Sequence, residues 1–106
     1  MGYVYLIEDK TNIVYKIGVT RSNNKRRLQK LQTGNSTPLT IKYLYQTDYP
    51  FRLETILHTK FKEYRVLNEW FELPKNIVDK FEDICNETNN NIIALKDNPF
   101  FSKNLK

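Results

Sequence analysis

YVYLI at residues 3–7 and IVYKIG at residues 13–18 decide the fold of this chain. Both runs are rich in β-branched and aromatic residues, and the polar residues 9–12 separate them, which is the pattern of two antiparallel strands in one hairpin. If these four polar residues form the loop, Glu8 pairs with Ile13, and the same register places Tyr5 directly opposite Lys16. We therefore expect a phenol and an ammonium group to face each other on this hairpin.

The alternation of side chains along a strand assigns every hairpin residue to one of two faces. Tyr5 and Lys16 share the first face with Tyr3, Ile7, Val14 and Gly18. The second face is predicted to pack on the core, and it consists of Val4, Leu6, Ile13, Tyr15 and Ile17. Polar chemistry, if the hairpin carries any, is therefore expected on the first face.

Length and composition bound the class of protein. A chain of 106 residues fits one compact domain with a single core. The one cysteine, Cys85, has no partner for an internal disulfide and no zinc-type cluster around it. We therefore expect it to be a small core residue of an intracellular protein, in the cytoplasm or nucleus. No apolar run approaches the ~20 residues of a membrane span, and the N-terminus lacks the features of a signal peptide. We therefore expect neither membrane association nor secretion.

The charge distribution points to a polyanionic partner. The formal net charge is +5, and seven of the seventeen lysines and arginines lie between Lys10 and Lys30. Clustered positive charge attracts phosphate-rich partners such as nucleic acid. A solvated basic surface would give the same composition.

A basic helix, a polar loop and a third strand are predicted after the hairpin. Residues 22–31 start with cap-forming side chains and place Leu28 and Leu31 on a narrow apolar stripe that ends near Gly34. Residues 33–38 have the composition of a loop. Residues 39–46 alternate in polarity and predict a strand with Leu39, Ile41, Tyr43 and Tyr45 together on one side.

Two further helices are predicted. The first runs from about Tyr49 to Tyr64, with Asp48 as its N-cap and an apolar stripe of Phe51, Leu53, Leu57 and Phe61. Residues 70–73 form a short strand or an extended segment. The second helix begins at Pro74 and is broken by the Asn-rich residues 86–91; its apolar stripe is Ile77, Val78, Phe81, Ile84 and Cys85. We expect one α+β domain, a three-stranded antiparallel sheet flanked by helices, with a core in residues 1–74 and the helix and tail of residues 75–106 packed on it.

Three side chains are candidates for a functional role because of their residue type and their position in the sequence. Glu54 lies at the margin of an apolar helix stripe, where a carboxylate loses hydration unless it meets a cation or a metal. His58 follows one turn later on the same face. Arg27 offers the planar fork of donors that recognises phosphate. Each also has a plain structural interpretation: a flanking charge, a core-edge histidine and a solvated basic face.

The ordered set of motifs resembles the GIY-YIG endonuclease superfamily. The set consists of Val4-Tyr5-Leu6, Lys16-Ile17-Gly18, Lys25-Arg26-Arg27-Leu28 and residues 31–35, LQTGN. Residues 54–58 (ETILH), Arg65 and residues 69–71 (EWF) are similar to the small phage- and virus-associated branch. The resemblance covers about residues 3–73. It implies the GIY-YIG fold and a one-metal site for phosphodiester hydrolysis on one face of the sheet.

The resemblance assigns roles by position. It implies that Tyr5 takes a proton from the attacking water, that Arg27 binds the phosphate, with Arg26 as the alternative, and that Glu54 holds magnesium or manganese. A free phenol with a pKa near ~10 is a poor base at neutral pH. We therefore expect the cation of Lys16, opposite Tyr5, to lower the pKa of this phenol.

Lys16 marks a departure from the family pattern. The second motif normally begins with tyrosine, and this chain has Lys16 there. Tyr15 precedes it but falls on the core face by alternation, so we expect Lys16 to be the functional substitute. His58 is expected to act as a proton relay or to orient Glu54.

DNA is the partner that this interpretation predicts, bound through phosphate contacts that weaken steeply with salt. The expected contact residues are Arg21, Lys25, Arg26, Lys30, Lys42 and Arg65. The sequence thus predicts a metal-dependent endonuclease of low sequence specificity, which a partner protein or homodimerisation would sharpen. The alternatives are a catalytically silent nucleic-acid-binding module of the same fold and a protein-interaction domain with incidental positive charge.

Overall fold

A five-stranded antiparallel sheet forms the centre of the structure, a computed structural model that describes residues 1–21 and 38–96. The strands are β1 (Gly2–Asp9), β2 (Val14–Thr20), β3 (Leu39–Thr47), β4 (Arg65–Leu67) and β5 (Trp70–Phe71). Their order across the sheet is β3-β1-β2-β5-β4. The predicted α+β class is confirmed, although the sheet has five strands rather than three. The predicted helix over residues 22–31 and most of the loop over residues 33–38 lie outside the described residues.

The β1–β2 hairpin forms as predicted, but its register differs from the predicted register by two residues. Tyr5 pairs with Gly18, and Lys16 pairs with Ile7. The cause is Asp9, whose buried carboxylate accepts hydrogen bonds from the backbone N–H groups of Thr11 (3.0 Å) and Asn12 (3.2 Å), so that Asp9 pairs with Val14. A shift of two residues changes every cross-strand partner and leaves every side chain on its predicted face.

The turn also removes one residue from the predicted core. Ile13 sits in the loop with a positive φ of 56° and is 72% exposed. Tyr15, in contrast, packs against the core as predicted, and its hydroxyl donates a hydrogen bond to Oε2 of Glu8 (3.2 Å).

The third strand contains a β-bulge that the alternating pattern hid. Leu6 pairs with Tyr43, but the next residue of β1, Ile7, pairs with Ile41, so Lys42 is an extra residue in β3. Tyr43 therefore lies on the core face whereas Ile41 lies on the opposite face. The prediction that these residues share one face is wrong for this reason.

Two short strands extend the sheet beyond β2. Residues 70–71 form β5, which pairs with Tyr15 and Lys16 of β2, and β4 pairs with β5 at the edge. Asn68 closes the tight turn between them with a positive φ of 52°. Of the two alternatives predicted for residues 70–73, a short strand or an extended segment, the strand forms, over residues 70–71.

Helix α1 (Pro50–Lys60) lies on one face of the sheet and is followed by a short 3₁₀ helix, Lys62–Tyr64. Its N-cap is Tyr49, which makes no side-chain cap bond; instead the hydroxyl oxygen of Thr47 accepts a hydrogen bond from the Tyr49 N–H (3.0 Å). The predicted cap by Asp48 is therefore wrong. Phe51 also departs from prediction because it is 56% exposed, while the rest of its predicted stripe is buried.

Two helices, α2 (Lys75–Asp79) and α3 (Phe81–Lys96), replace the single predicted one. The Asn-rich residues do not end α3, since two of their side chains bind the neighbouring strand. The hydroxyl of Tyr45 donates to Oδ1 of Asn86 (2.7 Å), and the hydroxyl of Thr47 donates to Oδ1 of Asn89 (2.6 Å). These tertiary bonds override the weak helix propensity of asparagine.

One apolar core joins the sheet to the helices. Its buried members are Val4, Leu6, Ile17, Leu53, Leu57, Phe61, Phe71, Leu73, Val78, Phe81, Cys85 and Ile92. Cys85 is a fully buried core residue, as predicted, and burial raises the pKa of its thiol to about 12. In the part of the chain that the structure describes, no helix has the length and apolarity that crossing a bilayer requires.

Candidate active site

The ring of Tyr5 lies directly on Gly18. These two residues are cross-strand partners at the centre of the hairpin. A Cβ on Gly18 would overlap the Tyr5 hydroxyl and Cζ and would lie 2.9 Å from Cε1, closer than real Cβ contacts come. Tyr5 is only 4% exposed, so the missing side chain at Gly18 provides the space in which the phenol is buried.

His58 of α1 reaches the neighbouring residue of the same strand. Its Nε2 is 2.9 Å from the carbonyl oxygen of Ile17. Because a carbonyl only accepts hydrogen bonds, Nε2 carries a proton and donates, and Nδ1 is the ring nitrogen left for proton exchange or ligand contact. The edge contact of the ring with Phe71, at 5.0 Å between centroids, fixes its orientation further.

Glu54 lies one helical turn before His58, partly buried. Burial raises the pKa of its carboxyl; His58 lowers this pKa, and the carboxylate of Glu69 raises it. Among the described residues, Glu54 has no hydrogen bond and no ion pair to offset its lost hydration. This is the combination of burial and neighbouring charge that is typical of functional carboxylates.

Lys16 does not have the predicted relation to Tyr5. It lies on the same face but opposite Ile7, two pairs away from Tyr5 along the hairpin, and its Nζ is 3.7 Å from Oε2 of Glu69. The ammonium also lies 5.9 Å from the centroid of the Trp70 ring. Its charge is therefore shared with a carboxylate and an indole. The prediction that Lys16 lies directly opposite Tyr5 is therefore wrong, and the lowered pKa that was expected from that pairing stays a prediction.

Contacts from Tyr5 and His58 converge on one peptide step of β2, Ile17-Gly18. Tyr5 covers Gly18, His58 binds the Ile17 carbonyl, and Glu54 lies beside His58. Tyr5 and His58 thus contact adjacent residues of β2, and Glu54 is linked to them through His58. Arg27, the predicted phosphate ligand, lies outside the described residues, as do Lys25, Arg26 and Lys30.

The remaining predicted DNA contacts are spread over the sheet. Arg21 follows the end of β2, Lys42 is on the edge strand β3, and Arg65 is on β4 at the opposite edge. All three are exposed. With strands about 4.8 Å apart, the two edges are roughly 19 Å apart, so Lys42 and Arg65 do not belong to one compact patch.

Two residues of this site had no predicted role. Gly18 was visible in the sequence only as part of a motif, and its function as a seat for Tyr5 depends on the hairpin register. Glu69 lies beside β2 because the Ile17 N–H donates a hydrogen bond to the Glu69 carbonyl (3.1 Å). From there its carboxylate pairs with Lys16 and raises the pKa of Glu54. Its position next to Trp70-Phe71, in a segment with strand pattern, was the available signal.

The donor set fits a hard divalent cation. Magnesium and manganese prefer carboxylate oxygens and keep several waters when few protein ligands are present. Glu54 and Glu69 lie close enough for the charge of Glu69 to raise the pKa of Glu54, and a cation between like charges would relieve that repulsion. The described residues contain no group of three or more His, Cys, Asp or Glu side chains placed to hold a metal, so a metal bound here would be held by few protein ligands.

Comparison with known proteins places these observations in a family context. The model of the T5orf172 domain matches residues 2–87. An uncharacterised protein, 460R of Invertebrate iridescent virus 6, is 34% identical over 105 residues, an alignment that covers 92% of this chain and 45% of that protein. The chain therefore spans less than half the length of this relative. No solved structure matches the chain significantly.

Proposed function

Because this chain belongs to the T5orf172 domain family, we propose that it is a metal-dependent endonuclease of the GIY-YIG type, which hydrolyses DNA phosphodiester bonds. Family membership indicates a nuclease-like or DNA-binding role. The proposal specifies that role as cutting or nicking of DNA with low sequence specificity. A longer chain, a partner protein or a second copy would supply specificity, since the viral relative is more than twice as long as the matched region.

The convergence on the Ile17-Gly18 step is the observation that carries the proposal. The phenol of Tyr5 packs on Gly18, and His58 binds the carbonyl of the preceding residue, Ile17. Glu54, whose carboxyl pKa is raised, interacts with His58. Hydrolysis of a phosphodiester needs a proton acceptor for water and positive charge at the phosphate oxygens. His58, with Nδ1 not engaged by the Ile17 carbonyl, would provide the proton acceptor, and the partly buried carboxylate of Glu54 would hold the positive charge.

The side chains divide this work according to their contacts. Tyr5 is proposed to orient the attacking water from its position on Gly18. His58 accepts the proton at Nδ1 while Nε2 remains bound to the Ile17 carbonyl. Glu54 would hold magnesium or manganese, which when bound supplies positive charge to the phosphate. Arg27 is proposed to bind the non-bridging phosphate oxygens.

A catalytically silent nucleic-acid-binding module is the second candidate. The contacts of Lys16 favour it, because this residue replaces the second-motif tyrosine and is engaged by Glu69 at 3.7 Å. Without a cation directly opposite, Tyr5 has lost the predicted reason for becoming a phenolate. Fold alone does not decide between binding and catalysis.

Nicking of supercoiled plasmid tests the two candidates. Purified protein is incubated with Mg²⁺ or Mn²⁺, and wild type is compared with Glu54→Gln, Arg27→Ala and the matched control Glu63→Gln, which changes an exposed carboxylate on the 3₁₀ helix. We expect cleavage by wild type and Glu63→Gln and a loss of at least about 100-fold in the other two variants.

Each other outcome has a definite meaning. Equal cleavage by all variants identifies a contaminating nuclease and contradicts the assigned site. Salt-dependent DNA binding by wild type without cleavage supports the silent module. Absence of both activities contradicts both candidates and leaves the protein-interaction alternative.

A further inference from the structure

An exposed aromatic ring with basic neighbours lies outside the candidate active site. Phe51, at the second position of α1, is 56% exposed although its stripe partners Leu53 and Leu57 are fully buried. Within residues 1–21 and 38–96, the core cluster does not include this ring. It separates two surface clefts, and each cleft contains positively charged side chains.

The first cleft lies between the end of β2 and the start of α1. It has a volume of about 200 Å³ and is lined by Val19, Thr20, Arg21, Pro50 and Phe51. The close approach of these elements is visible at Gly2, where a Cβ would lie 3.1 Å from both Pro50 Cγ and the Thr20 carbonyl oxygen. Arg21 is exposed and lines this cleft together with Phe51.

The second cleft lies between the start of α1 and the end of α3. Its volume is about 240 Å³, and its lining includes Tyr49, Phe51, Arg52, Ile92 and Lys96, together with Pro50 and the carboxylate of Asp48. The ammonium of Lys96 lies 5.4 Å from the centroid of the Tyr49 ring. Phe51 therefore borders one cleft that contains Arg21 and a second cleft that contains Tyr49, Arg52 and Lys96.

We propose that Phe51 is a stacking platform for an unpaired base of single-stranded DNA, whose flanking phosphates contact Arg21 on one side and Arg52 and Lys96 on the other. An exposed ring gains by covering its face with a base, and a cationic groove follows the backbone. A paired base does not offer its face to such a ring. The platform therefore selects single-stranded or frayed DNA.

The platform is close enough to the candidate active site to hold the same strand. Arg21, directly after the end of β2, lies three residues beyond Gly18, which is under the Tyr5 ring; three residues of extended chain span roughly 10 Å. That distance corresponds to about three stacked nucleotides at ~3.4 Å each. The inference rests on the proposed function in taking DNA as the partner, and it adds the state of the strand.

Binding of a fluorescent 12-nucleotide oligo(dT) tests the platform without any cleavage, in buffer that contains EDTA. The comparison uses wild type, Phe51→Ala, Phe51→Trp and the matched control Leu67→Ala, which removes a side chain of similar exposure (64%) from β4 at the opposite edge of the sheet. Phe51→Ala is expected to weaken oligo(dT) binding by roughly 5- to 100-fold, whereas Phe51→Trp and Leu67→Ala keep wild-type affinity. Arg21→Gln is expected to reduce the slope of log K against log salt by about 0.7.

A blunt hairpin duplex of the same length and a 2-aminopurine oligonucleotide complete the test. Phe51→Ala should change duplex binding less than twofold and should abolish the quenching of 2-aminopurine that stacking causes. Wild-type oligo(dT) affinity in Phe51→Ala, or an equal loss for the duplex, overturns the inference. If plasmid nicking is intact in that case, the proposed function survives; if binding depends on Phe51 and no nicking occurs, the platform stands and the endonuclease proposal fails.

Discussion

Gly18→Ala is expected to impair the protein without removing a single functional group. An ordinary contact between a methyl group and a ring carbon is about 3.5 Å, and the new Cβ would lie 2.9 Å from Tyr5 Cε1 and closer still to the hydroxyl. The ring must therefore retreat by about 1 Å. Misplacement of that size costs roughly 100-fold in rate, and overpacking costs about 1–3 kcal/mol in the free energy of unfolding.

Two assays separate these effects. Urea unfolding, followed through the fluorescence of the single tryptophan, Trp70, measures stability, and plasmid nicking measures the rate. In a Tyr5→Phe background, Gly18→Ala should cost about 1 kcal/mol less, because the hydroxyl that causes the closest overlap is gone. Unchanged stability and unchanged nicking in Gly18→Ala would refute the packing of Tyr5 on Gly18.

Three further predictions concern titratable groups. The pKa of Glu54 is raised in the folded state, so the stabilisation by its protonated form is present below pH ~4.3 and is lost as the pH rises through the folded value. Glu54→Gln should therefore raise the free energy of unfolding at pH 7 by less than about 1 kcal/mol. In urea titrations at pH 3, where Glu54 is protonated, the variant should lose this advantage. Glu69→Gln should lower the pKa of Glu54, and Lys16→Met should raise it by leaving Glu69 uncompensated; a carboxyl NMR titration without shifts of opposite sign would contradict this network. Cys85, whose pKa burial raises to about 12, should react with a thiol reagent at pH 8 only through unfolding, so that urea accelerates labelling; fast labelling of the native protein would disprove the burial.

Local pattern was sufficient for the faces of the hairpin and insufficient for its register. The period of two places Tyr5 and Lys16 on one face in any register of the same parity. Which residues face each other depends on the loop. There Asp9 accepts hydrogen bonds from two backbone N–H groups, and the pattern of apolar residues does not reveal these bonds. In the same way, the alternation from Leu39 to Tyr45 hides the extra residue, Lys42.

Contacts between distant segments account for the other differences. The Asn-rich run reads as a helix break because asparagine competes with its own backbone for hydrogen bonds, yet Asn86 and Asn89 bind Tyr45 and Thr47, more than 40 residues away. Glu69 likewise enters the site only because β5 pairs with β2.

Glu54 and His58, in contrast, were recognisable from the sequence. A carboxylate and a histidine four residues apart at the margin of an apolar stripe must lie on one side of the helix. The structure adds the hydrogen bond from His58 Nε2 to the Ile17 carbonyl, which orients the imidazole ring. Their catalytic roles remain predictions.

That bond joins residues 41 positions apart, whereas Tyr5 and Gly18 meet within a single hairpin closed by Asp9. Local contacts form early in folding and distant ones form late, because closing a long loop costs more entropy. The two halves of the candidate site are thus expected to assemble at different stages. Substitutions under the Tyr5 ring should slow folding, and substitutions of His58 should mainly accelerate unfolding. The hairpin would then serve as the preformed half onto which the helix brings its carboxylate.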